Sequence, residues 1–254
     1  MGKNRKRYVK GLRRSFKGEI VDKKQFYEEI DVTSMSEDDM RRLEKMLDLV
    51  KKYNIGSLLD VGSIPEMTEY FTSALKCKAL GVNISEKVVK SYKSGSQNVR
   101  FICGDAETVD FGEKFDLIIC GELLEHIQDP DAFIQKIKAC LNEGGHVLIT
   151  IPNLASLFNR LSLLFGWQPR GVNPSRKVLL NPLTKYDYNW GHISMFTHYS
   201  IRKFLEANDL KVVAIKGTYG GHVGEKSLSS AIRALMSLRE SFAEQLIILA
   251  ERRD

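Results

Sequence analysis

The stretch SLLDVGSIP, residues 57–65, decides the fold. A short apolar run ends there in a glycine and a proline, and apolar residues with helical spacing follow it. The same alternation continues along the chain, and it predicts strands at 57–61, 79–82, 99–102, 115–120 and 146–151. Helices are predicted between them at 66–76, at 86–93 and after Asp129. Short strands separated by helices indicate a parallel sheet covered on both faces, which is a doubly wound, Rossmann-like α/β fold.

The flanking segments complete this architecture. Ser36 precedes three acidic residues and a 3–4 spacing of apolar residues, which predicts a helix that ends near Tyr53. After residue 152 the alternation of strands and helices stops. A helix-like piece at 154–165 leads into a stretch in which apolar residues recur with no clear spacing. The remaining predictions are helices at 198–207 and 228–238 and strands at 210–216 and 244–250, which bring the sheet to seven strands.

Composition and length narrow the class of protein. The chain has 254 residues, of which 43% are hydrophobic and 28% charged, as in ordinary globular proteins. Its apolar runs are far shorter than the roughly 18 residues of a membrane-spanning helix, and no apolar signal segment follows the first residues. The four cysteines form no Cys-x-x-Cys pair, so neither a disulfide framework nor a zinc ribbon is predicted. We therefore expect a cytoplasmic protein without a transmembrane segment.

The first residues form a basic arm, predicted as a unit over residues 1–36. Residues 1–24 hold ten Lys or Arg against Glu19 and Asp22, whereas the other 230 residues carry 28 basic and 30 acidic groups. Such an arm could follow the phosphates of RNA or an anionic membrane surface. A solvated leader that aids solubility is an equally good interpretation.

Polar residues follow each predicted strand, at the edge where open α/β sheets bind ligands. These segments are Asp60-Val61-Gly62-Ser63, Asn83-Ile84, Gly104-Asp105-Ala106-Glu107 and Cys120-Gly121-Glu122-Leu123-Leu124-Glu125-His126. In order and spacing they resemble the motifs of the class I S-adenosylmethionine-dependent methyltransferases, near the glycan, small-molecule and quinone O-methyltransferases. The resemblance covers about residues 37–252, and the end of the chain is similar to the family's antiparallel final hairpin.

The resemblance implies that S-adenosylmethionine is the cofactor and assigns its contacts. It places Asp105 and the Ala106 amide against the adenine, and it assigns the cofactor-binding positions Asp60, Gly62, Ser63, Asn83, Ile84, Asp105, Ala106, Cys120 and Glu122. Two positions depart from the family pattern. Asn83 stands where a carboxylate usually binds the ribose, and Glu66 replaces a glycine beside the cofactor's amino-acid end. Alternatively, Ser63 only caps the following helix, with Pro65 in its first turn.

Two histidines are candidates for the chemistry. Methyl transfer requires collinear reactants and the removal of one proton, for which a neutral imidazole suits. His126 is the predicted catalytic base, and His192 is predicted to bind substrate; for each, a purely structural role stays open. Glu122, Glu125 and His126, with His192, also resemble the metal site of small-RNA 2′-O-methyltransferases and of some quinone O-methyltransferases. Because the same motif occurs in relatives without metal, we assign no metal ligand from the sequence.

Residues 153–196 replace no element of the sheet, so they are predicted to form a substrate cap inserted in a single domain at 37–254. The cap holds aromatic and basic residues, and Tyr188 and Trp190 join His192 as predicted substrate-binding residues. A cap that packs only on itself is the alternative.

The predicted function is O-methylation of a hydroxylated small molecule or glycan. An RNA methyltransferase that uses the basic arm is the first alternative, and an inactive methyltransferase-like binding module is the second. The sequence leaves open the acceptor atom, the acceptor itself, the oligomeric state and the partner of the arm.

Overall fold

A computed structural model describes residues 37–92, 96–175, 178–184, 191–219 and 239–253. The strands are β1 Ser57–Val61, β2 Lys78–Asn83, β3 Val99–Cys103, β4 Phe115–Gly121, β5 Leu141–Pro152, β6 Leu210–Thr218 and β7 Gln245–Arg252. The α-helices are α1 Glu37–Val50, α2 Pro65–Leu75, α3 Glu86–Ser91, α4 Pro130–Ala139, α5 Leu157–Leu164 and α6 His198–Ala207. Two short 3₁₀ turns lie at Leu124–His126 and Glu240–Phe242.

The seven strands form one sheet in the order β3-β2-β1-β4-β5-β7-β6. β1 pairs in parallel with both β2 and β4, whereas β7 runs antiparallel between β5 and β6. The predicted doubly wound α/β sheet with an antiparallel final strand is confirmed. The strand order reverses between β1 and β4, so ligands are expected beyond the carboxyl ends of these two strands.

Two apolar layers cover the two faces of the sheet. On one face, Leu59 and Val61 of β1 share a cluster with Ile134 of α4 and Leu205 of α6. On the other face, Leu58 packs in a cluster with Leu43, Met46, Val50 and Phe71 from α1 and α2. Alternate residues of β1 therefore enter opposite layers, as the period-2 geometry of a strand requires. Each fully buried side chain of this kind stabilises the fold by about 1.5–3 kcal/mol.

Several elements begin or end at residues other than the predicted ones. β5 starts at Leu141 rather than 146, and its pairing with β4 is irregular between Phe115 and Leu117. α5 starts at Leu157 rather than 154, because the Ser156 hydroxyl accepts from the Asn159 amide and caps the helix there. The predicted helix at 228–238 lies outside the described residues, as do the arm at 1–36, Tyr188 and Trp190.

The alternative role for Ser63 as a helix cap is wrong. α2 has Ile64 at its N-cap without a side-chain hydrogen bond, and Pro65 occupies the first turn. The Ser63 hydroxyl is instead buried and has no hydrogen-bond partner among the described residues.

Among the described residues, the structure contains no helix with the length and apolarity needed to cross a membrane.

Candidate functional site

A cavity opens at the carboxyl ends of β1, β2, β3 and β4, beside the point where the strand order reverses. Its wall combines residues from the loops after four different strands. The lining residues are Gly62, Val82, Asn83, Ile84, Gly104, Asp105, Ala106, Gly121, Glu122, Leu123 and His126. Six of the predicted cofactor-binding residues and the predicted base His126 thus share one cavity.

Gly62 shapes the floor of this cavity because its backbone is left-handed, with φ of 77°. A side chain is strained in that conformation, and a Cβ would stand 3.2 Å from the Leu123 side chain. The Gly62 amide donates to the Val82 carbonyl at 2.8 Å. The turn after β1 is therefore held close to β2, which leaves the space above it open.

Asn83 lines the cavity, and its side chain also connects the turn after β1 to the turn after β2 through hydrogen bonds. Its Nδ2 donates to the Ser63 carbonyl at 2.6 Å, and its Oδ1 accepts from the Ser85 amide at 2.8 Å. The amide group can serve both contacts because it carries a donor and an acceptor, which a carboxylate does not. This gives a physical reason for asparagine at the position where the family pattern has an acid.

The loop after β3 presents Asp105 and Ala106 to the cavity in a fixed conformation. The Glu107 amide donates to Asp105 Oδ1 at 3.0 Å, which orients that carboxylate. Lys136 of α4 donates to the Ala106 carbonyl at 2.9 Å, and burial lowers the pKa of Lys136. The Glu107 carboxylate in turn accepts from the Gln128 amide at 3.0 Å. The loop is thus held by groups on α4 and before it, which the sequence did not single out.

Three predicted cofactor-binding residues do not line the cavity. Asp60, Ser63 and Cys120 are buried beneath it, with 1%, 2% and 0% of their surface exposed. Thr68 donates to Asp60 Oδ2 at 2.6 Å, whereas burial raises the pKa of Asp60 to about 7. Burial also raises the pKa of the Cys120 thiol. A direct role of these three residues in binding stays a prediction.

Glu122 leaves β4 in a strained conformation that directs the chain into the site. Its φ is 48°, which is uncommon for a residue with a side chain and is typical of functional positions. Its amide donates to both the carbonyl and the hydroxyl of Thr150, at 2.9 and 3.0 Å. Its carboxylate accepts from Gln245 at 2.9 Å and lies 3.8 Å from the Arg42 guanidinium. Arg42 and Gln245 belong to no sequence motif, so their contacts with Glu122 could not be predicted from the sequence.

Glu125, His126 and His192 converge next to the cavity, with one ligand atom from each lying within 4.8 Å of the others. The two imidazole rings make an edge contact, with centroids 4.9 Å apart. The residues that follow Gly191 are tied to this turn, because the Ile193 and Ser194 amides donate to the Glu125 carbonyl at 2.7 and 3.1 Å. Backbone hydrogen bonds therefore hold the segment after Gly191 against the turn after β4, and the His192 ring contacts His126 of that turn.

Backbone carbonyls select the tautomers of both histidines. His126 Nδ1 lies 3.2 Å from the Gly191 carbonyl, and His192 Nδ1 lies 3.0 Å from the Gly171 carbonyl. A carbonyl only accepts, so each Nδ1 must be the donor and each neutral ring carries its lone pair on Nε2. Burial lowers the pKa of His192, which favours its neutral form. Both rings can then act as proton acceptors or as metal ligands.

Glu125 adds a buried carboxyl group without a hydrogen bond. Only 1% of its surface is exposed, and neither carboxylate oxygen has a hydrogen-bond partner among the described residues. Burial, followed by the charge of Glu122, raises the pKa of Glu125 well above its usual range. A divalent cation would satisfy both oxygens, and a carboxylate with two imidazoles is a donor set that such cations accept. These residues fit a metal ion.

The chain is similar in sequence to known methyltransferases. A family model described as "Methyltransferase domain" matches residues 23–215. A ubiquinone biosynthesis O-methyltransferase of Bradyrhizobium sp. (strain ORS 278) is 29% identical over 140 residues, which are 51% of this chain and 55% of that protein. The protein of the same name from Coxiella burnetii (strain Dugway 5J108-111) is 28% identical over 120 residues, 45% and 49% of the two chains. The chain thus spans about half the length of these curated relatives.

Solved structures share the fold at low sequence identity. N-methyltransferase NodS from Bradyrhizobium japonicum WM9, in complex with S-adenosyl-L-homocysteine, gives a TM-score of 0.58 at 14% identity, covering 97% of this chain and 98% of that one. Magnesium protoporphyrin IX methyltransferase from Synechocystis PCC 6803, with bound S-adenosyl-L-homocysteine, gives 0.57 at 15% identity, covering 97% and 94%.

Proposed function

Because the chain belongs to the class I S-adenosylmethionine-dependent methyltransferase family, we propose that it transfers a methyl group from S-adenosylmethionine to an oxygen of a hydroxylated small molecule or glycan. One observation carries this proposal. A single cavity joins the Asp105–Ala106 loop, Asn83 and Gly62 to an imidazole at its edge. Cofactor-recognition groups and a proton acceptor therefore lie side by side.

In this proposal, different cavity residues contact different parts of the cofactor. Asp105 accepts from the adenine amine, and the Ala106 amide donates to a ring nitrogen. Asn83 contacts the ribose with the hydrogen-bonding capacity that its two internal contacts leave. Gly62 and Glu122 border the amino-acid end, where a bare turn lets the backbone approach closely.

His126 is the proposed proton acceptor. The sulfonium supplies an activated methyl group, so the protein must mainly align the two reactants and remove the hydroxyl proton. The Gly191 carbonyl accepts from Nδ1–H of His126, so the lone pair of the neutral ring lies on Nε2, the atom proposed to take that proton. The His192 ring makes an edge contact with His126, and His192 would contact the acceptor.

A metal-assisted form of the reaction is the second candidate, favoured by the buried Glu125 carboxylate, whose oxygens accept no hydrogen bond from the described part of the chain. Glu125, His126 and His192 would hold a divalent cation, which would supply orientation of the acceptor hydroxyl and a lower pKa for it. His126 would then serve as a ligand and not as the base. The two forms predict different responses to chelators.

The names of the relatives support a small-molecule acceptor more than RNA. Both curated relatives are named for O-methylation in ubiquinone biosynthesis. An RNA acceptor would rest on the basic arm alone, and an inactive binding module would need a cavity unable to bind the cofactor. Both stay as alternatives to be tested by activity.

The test is transfer of a radiolabelled methyl group to panels of catechols, other phenols, glycans and RNA. We expect transfer to a hydroxylated small molecule or glycan, and loss of at least 100-fold in kcat for His126→Ala with cofactor affinity retained, since general bases contribute about 10²–10⁴-fold. Transfer to RNA alone would overturn the proposed acceptor class. Unchanged turnover in the His126 variant would remove its assigned role.

A further inference from the structure

Helix α5 exposes its apolar residues and buries polar ones. Leu163, Leu164 and Phe165 are 58%, 75% and 63% exposed, whereas Asn159 and Ser162 are 3% and 1% exposed. Leu164 and Phe165 lie three and four residues after Leu161, so the three side chains form a continuous apolar stripe on one side. This arrangement is the reverse of a helix that packs on a globular core.

Hydrogen bonds of the polar residues explain the reversed orientation. Asn159 accepts from the Arg170 amide at 2.8 Å and donates to the Arg170 carbonyl at 3.2 Å. Asn181 donates to the Ser162 hydroxyl and to the Gln168 carbonyl, both at 2.8 Å. Buried polar groups with satisfied hydrogen bonds are costly to expose, so these contacts hold the apolar stripe outward.

The stripe extends over the loop that packs against α5. Leu180 and Leu183 flank Asn181 and are 42% and 61% exposed. We call the exposed set the leucine-rich surface; it consists of Leu161, Leu163, Leu164, Phe165, Leu180 and Leu183. Trp167 stacks on Phe165 at 5.2 Å between ring centroids, at the base of this surface. Large exposed apolar patches on monomers mark interaction sites.

The charge around the leucine-rich surface selects the kind of partner. By sequence, residues 153–184 hold Arg160, Arg170, Arg176 and Lys177 and no acidic residue, although Arg170 is ion-paired with Glu244 at 3.4 Å. Arg160 is exposed on α5 itself. A second copy of the chain would bring the same positive charge against this surface, whereas an anionic partner would neutralise it.

We propose that the leucine-rich surface docks on an anionic lipid bilayer. Leucine and phenylalanine side chains would enter the acyl boundary, Trp167 would lie at the headgroup level, and basic residues would contact lipid phosphates. α5 has eight residues, too few to span the bilayer, so it would lie on the membrane surface. This inference is independent of the methyl acceptor.

Vesicle binding of the full chain tests the proposal. We expect the wild-type protein to sediment with vesicles of phosphatidylcholine and phosphatidylglycerol, and to bind pure phosphatidylcholine at least tenfold more weakly. Leu164→Glu combined with Phe165→Glu should weaken binding to the anionic vesicles at least tenfold. Val213→Glu is the matched control, because Val213 is an exposed apolar residue of β6, outside this surface, and its replacement should leave binding unchanged.

The fluorescence of Trp167 gives a second, direct measurement of contact between this surface and the bilayer. In a Trp190→Phe background, Trp167 is the remaining tryptophan. Its fluorescence should shift to shorter wavelength on addition of anionic vesicles, and the shift should be absent in the double glutamate variant.

Three outcomes would overturn the proposal. The first is no vesicle binding by the wild-type protein; the second is equal binding by the double glutamate variant and the wild type, which would assign binding to the basic arm. The third is a wild-type dimer in solution that the double variant dissociates while neither protein binds vesicles. That result would make the surface a contact between copies.

Discussion

At the scale of single residues, Asp60 is a buried carboxyl group whose ionisation opposes folding. Burial outweighs the hydrogen bond that Thr68 donates to its carboxylate, so the pKa of Asp60 rises from 3.8 to about 7. The unfolded chain releases this proton near pH 3.8. The stability from the protonated form is therefore complete below about pH 4 and is lost as the pH rises to 7.

Asp60→Asn removes this titration while it retains an oxygen that accepts from Thr68. We expect the free energy of unfolding of the variant, relative to wild type, to rise by about 2–4 kcal/mol between pH 4 and pH 7, at about 1.4 kcal/mol per unit of pKa shift. Urea denaturation of the cofactor-free proteins across this range measures the difference.

Asp116→Asn is the control for that experiment. Burial alone would raise the pKa of Asp116, but hydrogen bonds from Asn142, Gly56 and Ser57 outweigh it and lower the pKa. Its contribution is present above pH 3.8, so its replacement should add no slope between pH 5 and 7. A pH-independent difference between wild type and Asp60→Asn would show that Asp60 is ionised in the folded protein.

Glu125 separates the two forms of the proposed reaction. If Glu125, His126 and His192 hold a cation, Glu125→Gln should weaken the affinity for Mg²⁺ or Mn²⁺ at least tenfold, and chelators should stop turnover of the wild type. Titration of the cofactor-free protein with Mn²⁺, followed by electron paramagnetic resonance, measures this affinity without activity. Full turnover in excess chelator would leave His126 as the base and Glu125 as a neutral buried acid.

At the scale of elements, β2 and β3 approach each other through Gly81. A Cβ at this position would stand 2.1 Å from the Phe101 ring and 2.8 Å from the Ser63 hydroxyl. The Phe101 ring is itself packed against Tyr92, at 4.5 Å between centroids, so it has little room to move. Gly81→Ala should lower the free energy of unfolding by about 1–3 kcal/mol through overpacking.

Gly121→Ala is the matched control in β4, because the nearest atom to its Cβ would be Met67 Cε at 3.5 Å, an ordinary contact. Thermal or urea denaturation compares the two variants. Equal stabilities of the two alanine variants would contradict the proposed steric role of Gly81.

The elements with a strong apolar period were predictable from the sequence. The ends of α6 at His198 and Ala207 agree with the prediction, and β1 spans the predicted residues. The early start of β5 could not be predicted, since residues 142–145 are polar or glycine and lie in the irregularity between the Phe115–Leu141 and Leu117–His146 pairs. The orientation of α5 could not be predicted from the sequence either, because it depends on hydrogen bonds to residues up to 19 positions away.

At the scale of the whole molecule, the sheet edge assembles a site from loops that are distant in sequence. The motif residues Asp105, Ala106 and His126 were found from their positions after strands, and the cavity unites them. The sequence motifs do not indicate Arg42, Gln245 or Lys136, because only the folded chain brings α1, β7 and α4 to this edge. The burial of Asp60 and Cys120 below the cavity likewise follows from the three-dimensional arrangement.

Calorimetric titration of the full chain with S-adenosylmethionine and S-adenosylhomocysteine tests the central claim, that this cavity binds the methyl donor, most directly. We predict binding in the micromolar range for wild type and His126→Ala, and no detectable binding for Asp105→Ala, which removes the oriented adenine acceptor. Asn83→Asp should change the affinity by no more than about tenfold, the difference between a neutral and a charged hydrogen bond. Folded wild-type protein that binds neither compound up to millimolar concentration would contradict the account.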